Sequence, residues 1–195
     1  MNAASPHTLI ISCGALAREL VALTAQLGDN QVAITCLPAI WHNTPDKILA
    51  GVAAKIRAAR AKYEHIFVAY GDCGTGGQLD AVLAAESVER IAGPHCYQFF
   101  MGEAEFLAIS DMDPTAFYLT DYLVRHFDRI IIKGLGLDRF PELRDSYFGN
   151  YTKLIYIAQT EDQRLYVKAV AAAERLGLGF EYCYQGYGEL GPFVA

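Results

Sequence analysis

The chain has 195 residues, 53% of them hydrophobic and 19% charged. That is enough apolar surface to build a core, which excludes an intrinsically disordered chain. Its 16 Lys and Arg are scattered among 22 Asp and Glu for a net charge of −6, with no basic block to hold a phosphate backbone, so nucleic acid is not an expected partner.

No apolar run approaches the roughly 18–20 residues of a membrane span; Ile66–Ala69 and Ile130–Ile132 are typical of the longest. The segment Met1–His7 carries no Lys or Arg, and the apolar run after it, Leu9–Ile11, is too short for a secretory signal. The 5 Cys are odd in number and widely spread. In such a chain thiols are expected to be reduced, buried, catalytic or metal-bound rather than paired. The expectation is a cytoplasmic protein with no membrane partner.

Thr8–Cys13 is apolar and β-branched and reads as a buried strand. Leu16, Leu20, Leu23 and Leu27 then recur at helical spacing and predict a helix ending at Gly28. Gln31–Leu37 reads as the second strand. Pro45 opens an Ala-rich helix to Lys62, with Thr44 as its N-cap. His65–Tyr70 is the third strand, closed by the glycine-rich loop Gly71–Gly77, and Leu79–Glu86 reads as helix. Val88–Ala92 is a fourth short strand before Gly93 and Pro94. Phe99–Ile109 is expected to be helical, and Pro114–Phe127 to be another helix running into Ile130–Ile132. Lys153–Gln159 reads as strand, Asp162–Leu176 as helix and Phe180–Tyr184 as the last strand. Strands alternating with helices imply right-handed crossovers and a mostly parallel sheet. The expected fold is a single α/β domain over 1–195, Rossmann-like, with helices on both faces.

Ligands of such sheets bind beyond the carboxyl ends of the strands. Cys13 ends the first predicted strand and Cys36 the second, with His42 in the loop that follows. Cys73 lies in the glycine loop, His95 and Cys96 follow the fourth strand, and Cys183 ends the last. All the cysteines therefore map to one sheet edge. Thiolates and imidazoles from separate loops suit a soft or borderline metal, zinc above all and iron as an alternative. Cys36 and Cys183, flanked by apolar or aromatic residues, read as small core hydrophobes. Cys13, Cys73 and Cys96 sit beside Gly or His in tight turns where a core needs no thiol, and they are the expected metal ligands together with His95. His95 and Cys96 are adjacent, so one of the pair binds while the other orients it. His42 is read as a ligand or general base, with a solvated surface histidine as the plain alternative. His7, His65 and His126 read as ordinary residues.

The glycine loop lacks a P-loop ending and does not match G-x-G-x-x-G. Gly71, Gly74 and Gly76 are instead expected to contact the bound cofactor, wrapping the chain around the Cys73 sulfur and lowering its pKa with backbone N–H groups. Tyr97, the expected catalytic partner of His42, would wall a pocket with Tyr118 and Tyr184. No G-x-S-x-G elbow is present, which excludes a serine hydrolase of that kind.

Five segments carry a resemblance: Ser12–Leu16, Leu37–Pro45, Tyr70–Thr75, His95–Gln98 and Phe117–Asp121. Together they resemble the bacterial and archaeal family known as domain of unknown function 1638. The resemblance covers most of the chain and carries no settled activity. It implies an association with corrinoid-dependent methyl transfer, with zinc-held thiolates as methyl acceptors. The expected role is then an enzyme or accessory protein of one-carbon metabolism acting on a small-molecule substrate or with a corrinoid or methyl-transfer partner protein. The alternatives are a non-catalytic metal or corrinoid carrier, or a metal-free enzyme with a low-pKa cysteine nucleophile.

Overall fold

A computed structural model describes residues 7–27 and 32–194. The predicted helix end at Gly28, the strand start at Gln31 and nearly all of Met1–His7 lie outside these residues. The chain is α/β, and its strands form two parallel sheets that belong to two compact units. The first unit comprises residues 1–99 and 189–195, the second 100–188.

In the first unit the strands are β1 (Thr8–Cys13), β2 (Val32–Leu37), β3 (His65–Ala69) and β4 (Glu89–Arg90), in the order β2-β1-β3-β4. β1 is central, pairing Thr8 with Val32 on one side and with His65 on the other. Such a strand must be apolar on both faces, which is why Leu9–Ile11 is a continuous hydrophobic run. Period-two alternation turns Leu9, Ile11 and Cys13 into one cluster with α2 (Asp46–Ala59) and α3 (Gln78–Ala85). The inward face of α2 is Ile48, Val52, Ile56 and Ala59, the spacing of one helical stripe. A 3-10 turn (Gly14–Leu16) leads into α1 (Ala17–Thr24), and a second (Ala39–Asn43) precedes α2. Pro45 rather than Thr44 stands at the N-cap of α2, with no side-chain cap bond.

The predicted helix Phe99–Ile109 is two helices, α4 (Cys96–Met101) and α5 (Glu103–Met112). Gly102 separates them at φ 77°, a left-handed conformation that a continuing helix cannot contain.

The second unit has β5 (Ala116–Thr120), β6 (Lys153–Ala158) and β7 (Gly179–Tyr184), in that order. β5 corrects the helix expected over Pro114–Phe127. Ala116–Thr120 pairs in register with Lys153–Ile157, and only from Asp121 does the chain turn helical, as α6 (Asp121–Arg125). A π-helix (Asp128–Ile132) and α7 (Leu143–Phe148) follow. α8 (Gln163–Leu176) covers β6 and β7 with Leu165, Ala169, Ala172, Ala173 and Leu176 buried. Its N-cap is Asp162, which accepts from the Arg164 N–H at 2.9 Å. Back in the first unit, α9 (Leu190–Val194) packs against α1. No helix among the described residues is long and apolar enough to cross a membrane.

Candidate functional site

The carboxyl edge of the first sheet gathers most of the residues that the sequence singles out. Cys13 is the last residue of β1 and is only 4% exposed. Its sulfur accepts from the Ala15 N–H at 3.3 Å, so the thiol caps the 3-10 turn that follows. Tyr70, just past β3, is buried in the same cluster, and its hydroxyl has no hydrogen-bond partner among the described residues. His42 Nδ1 lies 4.0 Å from that sulfur and 2.7 Å from the Ala39 carbonyl. The bond to a carbonyl requires the proton on Nδ1 and leaves Nε2 as the basic nitrogen. The imidazole also stacks on Tyr70, with ring centroids 6.1 Å apart at 20°. Burial, opposed by the Ala39 bond and assisted by the charge of His95, holds the His42 pKa below its ordinary value.

The glycine loop is built around Asp72 rather than around a sulfur. The Asp72 carboxylate accepts from Thr75 Oγ1 at 2.7 Å and from the N–H groups of Gly76 and Gly77 at 3.0 and 2.7 Å. These bonds overcome a desolvation cost and hold the Asp72 pKa below its usual value. The loop is also tied to the segment after β4: the Asp72 N–H donates to the Gly93 carbonyl and the Cys73 N–H to the Pro94 carbonyl. Gly71 permits that approach, since a Cβ there would stand 2.9 Å from the Pro94 oxygen. Gly74 and Gly76 hold φ values of 81° and 62°. Cys73 itself sits at φ 51°, left-handed for a non-glycine residue.

The expectation of a low-pKa Cys73 thiol is corrected. A backbone N–H at Gly71 does engage Cys73, but burial outweighs it and pushes the thiol up to about 12. Burial likewise raises Cys13 to about 11, and it raises Cys96 further. These three thiols are close enough to feel one another's charge. Cys13 and Cys73 pack into one cluster with Tyr70. Cys96 opens α4, while the adjacent His95 is exposed, with its ring 6.2 Å from that of Tyr97. Among the described residues, no three His, Cys, Asp or Glu side chains stand at metal-holding distances.

Two cysteines depart from their expected places. Cys36 is half-buried in an edge strand, so Cys13 and not Cys36 is the core thiol of this sheet. Cys183 belongs to β7 of the second sheet, where Gln185 Nε2 lies 3.2 Å from its sulfur. The three tyrosines proposed for one pocket also divide: Tyr97 lies in the first unit, Tyr118 and Tyr184 in the second.

Sequence reasoning missed Glu19, a carboxylate on the first turn of α1 that is only 5% exposed and whose charge reaches Cys96. Its position beside Leu20 in an amphipathic stripe hid it. Asp121, at the carboxyl end of β5, was also missed. Fully buried, it accepts from Tyr156 Oη at 2.7 Å, Gln159 N at 3.1 Å and Thr160 Oγ1 at 2.5 Å, and pairs with Arg125 at 3.2 Å.

A family model described as "Protein of unknown function (DUF1638)" matches residues 36–193. The chain belongs to this family. The match takes in His42, Cys73 and Cys96 and begins after Cys13. No curated protein matches this DUF1638 chain. Among solved structures it is similar to an ornithine carbamoyltransferase from Pyrococcus furiosus, at 14% identity and a TM-score of 0.27 over 92% of this chain. The chain spans about half (55%) of that enzyme's length, and at this score the likeness carries no argument.

Proposed function

We propose that this DUF1638 protein binds a soft or borderline divalent metal, zinc first and iron second, through Cys13, Cys73 and Cys96 with His42. One observation carries the reading: three thiols from three separate strand exits fall within charge range of one another at the carboxyl edge of a single sheet. Three sulfurs and one imidazole nitrogen are the donor set of tetrahedral zinc. The His42 bond to the Ala39 carbonyl is the outer partner that ligating histidines use to fix their tautomer. Protonated thiols have no attraction that would draw them to ligating distance; Cys13, Cys73 and Cys96 would close on a dication as thiolates, releasing their protons on binding.

The raised thiol pKa values disfavour a metal-free cysteine nucleophile. A bound metal would supply Lewis acidity to a thiol, amine or water ligand. That chemistry agrees with the one-carbon, corrinoid-linked setting that the family resemblance implies, either as an enzyme or as a carrier. Tyr97 and the exposed His95 stand beside Cys96 as groups that would meet a substrate there.

Elemental analysis of protein purified without added metal, followed by zinc titration of the chelator-treated protein, tests the reading. About one metal per chain is expected, lost in Cys73→Ala and kept in Cys36→Ala. A well-folded preparation holding far less than one equivalent and taking up neither zinc nor iron overturns it.

A further inference from the structure

The second unit holds a concentration of positive charge that the chain's net −6 does not foreshadow. Its α6, the π-helix and α8 wall a cavity of about 330 Å³. Arg125, His126, Arg129, Lys168 and Arg175 line it, and Asp128 is the carboxylate among them. Asp128 is engaged by Arg175, Oδ1 to Nη1 at 2.5 Å, and Arg125 is held from below by the buried Asp121 at 3.2 Å. Among the described residues neither Arg129 nor Lys168 forms an ion pair. Four fixed cations against two carboxylates leave two positive charges uncompensated around one hollow.

Arg125 adds a second observation. Its Nε is buried and has no hydrogen-bond partner. A buried, unsatisfied donor on a cation is costly unless a ligand completes it. The π-helix in the cavity wall carries a hydrogen bond one residue longer than an α-helix's, from the Lys133 N–H to the Asp128 carbonyl, a feature that recurs at functional sites.

We propose that this cavity binds a small organic phosphate. A phosphate monoester carries close to two negative charges at neutral pH, matching the two uncompensated cations. Its oxygens take arginine forks bidentately, which a single carboxylate does once at most. The volume stands at the lower end of ligand pockets, roughly 300–1,000 Å³, and admits more than a bare ion. The ligand's organic part rests on the Val124 and Ala172 side of the cavity. This inference concerns the second unit and does not depend on a metal in the first.

The test is calorimetric titration of the full chain at about 0.15 M salt, with adenosine 5′-monophosphate, inorganic phosphate, citrate and sulfate as probes. Saturable one-site binding of the monophosphate is expected, tighter than that of any of the other three. Lys168→Gln and Arg129→Gln, both exposed and so expected to fold, should each weaken it by about tenfold or more. Asp128→Asn, which frees Arg175 from its competitor, should tighten it. Chelator-treated protein should bind equally well. Unchanged affinity in both cation variants, non-saturable binding of every anion, or a preference for citrate overturns the proposal. A preference for inorganic phosphate over the monoester would overturn its organic part.

Discussion

Gly71 shows how one missing side chain fixes the position of others. A Cβ there would meet the Pro94 oxygen at 2.9 Å and the His95 backbone at 3.1 Å, and backbone atoms cannot rotate away. Gly71→Ala should therefore part the glycine loop from the segment after β4, at a cost of about 1–3 kcal/mol, the usual range for forced overpacking. Chemical denaturation measures that loss, and zinc uptake should fall with it. A second expectation concerns pH. Cys13 and Cys73 have folded-state pKa values of about 11 and 12, above the ordinary 9.0. The folded state thus holds these protons more tightly, and the stability they contribute is intact below pH 9 and lost as pH rises through 11 to 12. Melting temperatures of metal-free protein should fall over that alkaline window, and Cys73→Ala should flatten the fall. An unchanged alkaline profile in that variant would show that burial of the thiol is not its cause. Cys13 and Cys73 were legible in the sequence because strand exits can be located there. Glu19 was not, because an acid within an apolar helical stripe looks no different from one facing solvent.

At the scale of elements, the strands and helices with a clean period were legible and the composite ones were not. β1, β6 and α8 follow their patterns closely, while Ala116–Arg125 contains a strand and a helix in one apolar stretch. Its aromatic run, Phe117 and Tyr118, satisfies a helical spacing as well as an extended one, so periodicity alone could not divide it. What divides it is Asp121, whose carboxylate ties the end of β5 to Tyr156, Gln159 and Thr160 near the end of β6. Asp121→Ala should thus act as a break in a buried network, costing about 3 kcal/mol or more. It should also free Arg125 from its carboxylate partner and, if the fold survives, tighten anion binding as Asp128→Asn does. Equilibrium unfolding would measure the first effect, calorimetry the second. A variant as stable as the parent would mean that the network is not what joins the two strands.

For the whole molecule, the α/β class and parallel pairing followed from alternating strand and helix patterns. The division into two sheets did not follow, since the strands of both are short, apolar and similarly spaced. Each unit has its own buried cluster, that of the second running from Leu119 to Leu178. Because residues 100–188 form one uninterrupted stretch, that fragment should fold without the rest and unfold cooperatively. A fragment lacking a cooperative transition would show that the cluster is insufficient alone.

The bonds between the glycine loop and the segment after β4 run from main-chain N–H to main-chain carbonyl. That joint needs Gly71 and the Asp72 carboxylate but no side chain at positions 73 or 96, so the frame outlasts changes to those two groups. Histidine at position 73 or aspartate at position 96 would be presented at the same address as the thiols they replace. The loop pair thus resembles a socket whose contacts can be exchanged, and a series of such replacements would let one scaffold be retuned from soft to harder metals without redesigning its fold.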